Sequence, residues 1–521
     1  MKKLLTYIQN NKEFSIILFV ALLLRIILAA VKEFHADELF SLYASEMILH
    51  KGIPVYPSGV YRILGGLLLY IQAPFIALFG YNELLVRIPS IFFSCGAIFL
   101  TYHFAKELFS KNIALLAVFF VAFDVDLINW GGISTKPYSL TPFLLLLIFY
   151  FLRQSTIKNS LKLLIISSLL IIISLWIHPL LTLYLPAIFL AYFIWIKKFS
   201  FKNLFIFTSI VLVGLITVFL SAYFFDRGIV DAASGGESSN YIALFKSYVF
   251  KLYSSTVRFY SNPFYTSHLH RVIMFFPFVF ILLSYFTNLI FSETKIIWKN
   301  QTFEDVFAIG FTVFVTLIIH NILPFNFVYY TIPLLPIFYI VASKSVFMLF
   351  SGDWFSKNNA IKIEEFKDFS KKQKIIIVTL LVGIFGLMMK DLKPEFKNTN
   401  YLQAYKFVKK QWKSGDVILN CNPATYIFAI DQKDAQMYFF TENPDINIMK
   451  NNDGQIVDRV FGMPSITNEK QLDSLFDIHS RIWFILNKNS AHFNFPTTLN
   501  FINSNMKLVY ETQASQVYLK E

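Results

Sequence analysis

Apolar runs long enough to cross a bilayer recur along most of this 521-residue chain. A spanning helix needs about 20 consecutive, mostly apolar residues, so each run strongly limits the fold. Such runs lie at Phe14–Val31, Leu84–Phe104, Ile113–Ile128, Tyr138–Leu152, Leu161–Trp176 and Pro179–Ile196. They continue at Leu204–Phe225, Val272–Phe291, Phe303–Leu323, Val328–Phe350 and Ile375–Met389. The pattern predicts a polytopic α-helical membrane protein of about eleven spans. Only 15% of the residues are charged, and 60 Phe with 27 Tyr exceed what a water-facing surface accommodates. Disorder, a coiled coil and a disulfide-rich scaffold are thereby excluded. Cys95 and Cys421 have neither framework nor zinc-ligand spacing and read as free thiols. A further run, Leu64–Phe79, lies between polar loops and carries Gln72 and Pro74, which predicts an interfacial helix.

The charge distribution orients these spans. The net charge is +13, and all of the excess lies before the tail: 32 Lys+Arg against 19 Asp+Glu up to Lys390, then 14 of each. A nucleic-acid binder would carry a basic soluble module, so no nucleic-acid partner is expected. With the N-terminus inside, the inner loops collect Lys2, Lys3, Lys12, Lys106, Lys111, Arg153, Lys158, Lys162, Lys197, Lys198 and Lys202. Lys295, Lys299 and the stretch Lys344–Lys374 join them, and the outer loops are longer yet less basic. The expectation is a multi-pass protein of a bacterial inner membrane, N-terminus cytoplasmic, with the first run a retained anchor rather than a cleaved signal.

An odd number of spans puts the tail outside. The expected division is a membrane domain over 1–390, with exported loops 32–83 and 226–271, and an exported domain over 391–521. The second loop includes a Gly/Ser-rich stretch, Ala232–Asn240. In the tail, Tyr401–Gln411 and Glu469–Phe476 have helical spacing, while Val417–Leu419, Ile482–Leu486, Lys507–Glu511 and Gln516–Leu519 read as strands. The last two form a hairpin-like pair, and the alternation predicts a small α/β domain.

The first exported loop opens with His35-Ala36-Asp37-Glu38. Ionised carboxylates at a membrane edge cost several kcal/mol unless paired or hydrated. Such a group can take a proton from a hydroxyl or hold a cation; a helix N-cap followed by solvated charge is the plain alternative. The stretch His35–Gly52 resembles the His-Pro-Asp-Glu loop of C-type (GT-C) membrane glycosyltransferases, with Ala36 where proline is common. Gly66–Pro89 is similar to the interfacial helix and following span start of the bacterial lipid-linked sugar transferases, relatives of protein O-mannosyltransferases and aminoarabinose–lipid A transferase. Phe79, Gly80, Glu83 and Arg87 carry that likeness. Tyr329 to Pro336 resembles the superfamily's aromatic–Pro–x–x–Pro span, with Tyr329-Tyr330 in place of Arg-Tyr.

The resemblance implies transfer of a hexosyl or pentosyl unit from a polyprenyl-phosphate donor to a glycan, lipid or protein hydroxyl. Asp37 would be the general base and Glu38 its orienting neighbour, with His35, Tyr138, Tyr329 and Tyr330 at the substrate. Lys136, in Ser134-Thr135-Lys136-Pro137-Tyr138, stands where the family has Arg-x-Tyr; it and Arg271 are candidates for the donor phosphate, or else interfacial anchors. His178 occupies a turn where the family commonly places histidine, although a satisfied interfacial residue is equally consistent with it. Asp124 and Asp126 could contact sugar, hold a hard cation or end a helix.

No His/Cys/Asp cluster supports a dedicated metal site, so no cofactor is expected, although a divalent ion stays open. There is no P-loop and no GxGxxG. A flippase or transporter of lipid-linked saccharide is the alternative function. It would predict internal repeats and deep ionisable groups, whereas no convincing repeat is seen and the spans are nearly free of charge apart from Arg25. A non-catalytic glycan-binding scaffold is a third class, and it would not need Asp37.

Overall fold

The computed structural model describes residues 2–62, 65–225 except 198, 271, 305, 308–310, 312–313, 316, 328–351, 370–391, 401–420, 436–440, 448–488 except 452, 496–512 and 515–521. The expected loop 226–270 with its Gly/Ser stretch, the span Val272–Phe291, most of Phe303–Leu323 and Cys421 lie outside the described residues. The chain divides into two compact units.

The membrane unit comprises Met1–Ala29, Ile63–Leu68 and Arg87–Lys393. Its helices begin with α1 (Lys2–Asn10) and α2 (Lys12–Val31). The next two helices, α3 (Ala36–Lys51) and α4 (Gly66–Phe79), lie wholly or largely in the other unit. The bundle resumes with α5 (Ile88–Leu108), α6 (Lys111–Phe123), α7 (Val125–Asn129), α8 (Leu140–Ile157), α9 (Leu161–Ile177), α10 (Leu185–Trp195) and α11 (Phe201–Phe225). Beyond the second loop come α12 (Leu335–Ser351) and α13 (Lys371–Asp391). Among the described residues four helical stretches, Lys12–Val31, Leu85–Leu108, Pro137–Ile157 and Phe201–Val218, are long and apolar enough to cross a membrane. In α2, Ala21, Arg25 and Ala29 recur every four residues and are buried, while Phe19, Leu23 and Ile27 stay exposed. The buried stripe faces the bundle, and the other face is apolar enough for lipid.

One expected span is corrected. The run Ile113–Ile128 is not a continuous helix: α6 stops at Phe123 and Asp124 leaves the helical region at φ −63°, ψ 129°. Its carboxylate accepts from the N–H groups of Asp126 (2.9 Å) and Leu127 (3.0 Å), which starts α7. An acidic cap thus overrides uniform hydrophobicity.

The second unit joins Ala30–Arg62 and Leu69–Val86 to Pro394–Glu521. Its tail contributes α14 (Tyr401–Gln411), α15 (Glu469–Ile478) and α16 (Pro496–Asn505). The strands are β1 (Val417–Asn420), β2 (Gln436–Phe440), β3 (Ile448–Lys450), β4 (Ile456–Asp458), β5 (Ser465–Ile466), β6 (Ile482–Asn487), β7 (Lys507–Glu511) and β8 (Ser515–Lys520). Six of them form one sheet in the order β5-β2-β1-β6-β8-β7, and β3 pairs with β4. The β5-β2-β1-β6 part is parallel, and β8 runs antiparallel to β6 and β7.

Parallel strands are covered on both faces and read as continuous apolar runs, as Ile482–Leu486 does. Val417, Leu419 and Phe484 pack with α15 and α16 through Leu472, Leu475, Ile502 and Met506. The opposite face, with Ile418, Trp483 and Ile485, packs on Ala404, Tyr405 and Val408 of α14 and on Leu39, Leu42 and Tyr43 of α3. The Ser58 N–H donates to the Val460 carbonyl at 3.0 Å, and Tyr43 meets Phe461 edge-on at 4.8 Å. Helix α3 is therefore part of the α/β body.

Candidate active site

Helix α3 begins after a four-residue link from α2, and its first turn carries both carboxylates. The N–H groups of Glu38 and Leu39 donate to the His35 carbonyl at 2.9 and 3.2 Å, making His35 the cap residue. The Glu38 carboxylate reaches back to accept from the His35 N–H at 2.8 Å, the reciprocal half of a capping box. Glu38 is buried, and this bond holds the turn that carries Asp37. Asp37 occupies the second helical position, where the helix dipole favours a carboxylate.

Arg62 meets the same helix. It follows a tight pairing of Val55 with Tyr61, and its N–H donates to the Pro54 carbonyl at 2.8 Å. Nη1 donates to the Tyr56 hydroxyl and Nη2 to Ser41 Oγ at 3.2 Å, while Nε is buried with no hydrogen-bond partner. Ser41 lies four residues after Asp37, hence on the same face of α3 one turn along. Among the described residues this guanidinium has only neutral partners. Two residues beyond Ser41, burial and then the nearby Glu46 push the Tyr43 phenol well above its ordinary range, so it stays neutral.

The membrane unit brings three expected site residues together. Arg271 Nη2 donates to Asp124 at 2.8 and 2.9 Å and to Asp126 Oδ2 at 2.8 Å. The Tyr339 hydroxyl, from α12, donates to Asp124. Arg25 lies close by and is fully buried; it donates to Ser94 Oγ (2.9 Å) and to the carbonyls of Ala122 (3.0 Å) and Ala21 (3.2 Å). A Cβ on Gly132 would sit 2.9 Å from Arg25 Nε, so only glycine admits the guanidinium. Two guanidiniums and two carboxylates give a neutral quartet, which suits burial. Asp124 and Asp126 thus have a cation already.

A second group forms where α8 begins and α9 ends. Lys136 Nζ lies 4.8 Å from the Trp130 ring centre and 5.6 Å from that of Tyr138. The His178 ring is 5.6 Å from the Tyr138 ring, and Lys136, Tyr138 and His178 are all buried. Arg87, which donates to the Ala29 carbonyl at 2.9 Å, marks the same end of the bundle. Tyr329 and Tyr330 lie in a 3-10 turn over Val328–Leu334. Among the described residues no three His, Cys, Asp or Glu side chains converge as metal ligands.

Two solved structures share this architecture from end to end. ArnT from Cupriavidus metallidurans matches in the apo state with TM-score 0.58 and 11% identity, over 97% of both chains. The same protein bound to undecaprenyl phosphate matches with TM-score 0.57, 11% identity and the same coverage. The family described as dolichyl-phosphate-mannose-protein mannosyltransferase matches residues 67–223. In fold the chain is similar to these two ArnT structures. No curated protein matches the sequence.

Sequence reasoning passed over Arg62, Tyr339 and Trp130. An arginine flanking an interfacial helix was the available signal for Arg62. Tyr339 sits within an apolar span and gave none.

Proposed function

We propose that the chain transfers a sugar from a polyprenyl-phosphate-linked donor to an acceptor hydroxyl at the outer face of the membrane, with Asp37 as general base. The observation that carries this reading is the guanidinium of Arg62, held by the Ser41 hydroxyl one turn along the helix face that bears Asp37 and by the Tyr56 hydroxyl. Glycosyl transfer needs both a base and a cation. The acceptor oxygen gives its proton to the Asp37 carboxylate and bonds to the anomeric carbon. The bond from that carbon to the phosphate oxygen breaks, and the polyprenyl phosphate departs with the electron pair. Arg62 offsets that charge. The undecaprenyl phosphate held by the Cupriavidus protein and the sugar–phosphate lipid in the family description support this ligand class. The reading requires no metal, because Arg271 already satisfies the Asp124 and Asp126 carboxylates.

The test is sugar transfer from a polyprenyl-phosphate donor by purified, monodisperse Asp37→Asn. The substitution keeps size and removes basicity, and the expected loss is on the order of 10²–10⁴-fold. Near-normal transfer would remove Asp37 as the base. The outer-face assignment follows from charge asymmetry, with the N-terminus cytoplasmic and the tail exported. Gln455→Cys, in a chain lacking Cys95 and Cys421, should react with an impermeant maleimide added outside intact cells. Reaction only after the membrane is breached would reverse the orientation.

A further inference from the structure

At the opposite end of the bundle from Lys136 and Asp124, a groove of about 540 Å³ opens between α5 and α8. Its walls are apolar and aromatic, with Phe99, Phe104, Tyr150 and Phe151 prominent, and its polar end is formed by His103, Lys106 and Glu107. From Phe99 to Glu107 is two helical turns, about 12 Å at 1.5 Å per residue, most of one leaflet's hydrocarbon depth. His103 Nε2 shares a hydrogen bond of 2.8 Å with the Tyr7 hydroxyl, which fixes α1 beside the groove.

The charges at the polar end are unequal in their engagement. Glu107 accepts from Arg153 Nη1 at 2.7 Å and from Gln154 Nε2. Arg153 in turn forks onto Asp305, at 2.8 Å from both Nε and Nη2. Lys106 is different: its ammonium lies 5.5 Å from the Tyr102 ring centre and has no carboxylate partner among the described residues. The groove therefore presents an apolar slot, a committed carboxylate and an available cation.

We propose that this groove holds one anionic phospholipid, its acyl chain along the aromatic walls and its phosphate at Lys106. The choice of an anionic over a zwitterionic lipid rests on charge. A lysine beside an apolar slot rewards a net negative headgroup, and the bonds from Arg153 and Gln154 hold the Glu107 carboxylate on those two side chains rather than on Lys106. The site is separate from the transfer chemistry and does not depend on it.

Native mass spectrometry of the full chain in detergent, given equal dioleoylphosphatidylglycerol and dioleoylphosphatidylcholine, tests this. Wild-type protein should retain the anionic lipid about fivefold more. Lys106→Gln, an exposed substitution, should bring the two lipids to parity, while Lys162→Gln at the exposed start of α9 should leave the preference unchanged. Leu147→Trp, which fills the slot, should lower retention of both. Parity in the wild type, an unchanged preference in Lys106→Gln, or full retention in Leu147→Trp overturns the site. So does Lys106-dependent displacement of the phospholipid by polyprenyl phosphate, which would give the groove to the donor's chain.

Discussion

Arg271, in the membrane unit, meets two carboxylates, one of which also accepts from the Tyr339 hydroxyl, whereas Arg62, in the α/β unit, meets two hydroxyl groups. The side chains are identical and their electrostatic situations are opposite. A fully buried guanidinium beside two acids has its charge compensated before any ligand arrives, and serves to hold α6, α7 and α12 through Asp124, Asp126 and Tyr339. A guanidinium held by neutral oxygens is oriented yet uncompensated, so a phosphate gains the full attraction. Compensation by the protein itself, rather than the presence of arginine, separates a structural cation from a binding one.

The largest expected effect breaks the Arg271 side of that contrast. Arg271→Gln leaves Asp124 and Asp126 buried without their cation, and stability should fall by about 3–5 kcal/mol. The readout is loss of monodisperse protein and a lowered Tm in detergent. A stable Arg271→Gln that fails only in transfer would make Arg271 the phosphate ligand and undo the comparison. Arg271 was legible as a candidate, but not its partners: Asp124 and Arg271 are 147 residues apart, and nothing local shows that they meet.

Arg62→Gln should do the reverse. Only neutral hydrogen bonds are lost, so folding should survive while transfer falls on the order of 10²-fold, as for other groups facing developing negative charge. Retained activity would leave the phosphate to the membrane unit. The smallest effect is expected there: Lys136→Met should reduce turnover roughly tenfold at unchanged protein yield, with Lys136→Arg keeping part of it. Transfer unaffected by Lys136→Met would restrict that lysine to its place over Trp130 and Tyr138.

Local pattern was enough for the spanning class, for α14 at Tyr401–Gln411 and for β7 at Lys507–Glu511, because periodicity and apolar length act within one element. It also marked the Asp37–Glu38 turn, since a capping box is a local device. It offered a helix end at Asp124 only as one of three readings, although a single cap there ends α6 inside an apolar run, and it missed α3 as a helix packed on the tail. Leu39, Leu42 and Tyr43 have no unusual spacing; their partners Ala404, Val408 and Trp483 come from the far end of the chain. Ser58 and Arg459, joined by a hydrogen bond, are 401 residues apart. Hydrophobic length and charge asymmetry are sums along the sequence and survive without coordinates. Which charge meets which, and whether an arginine is already neutralised, depends on separations in space that only the folded chain decides.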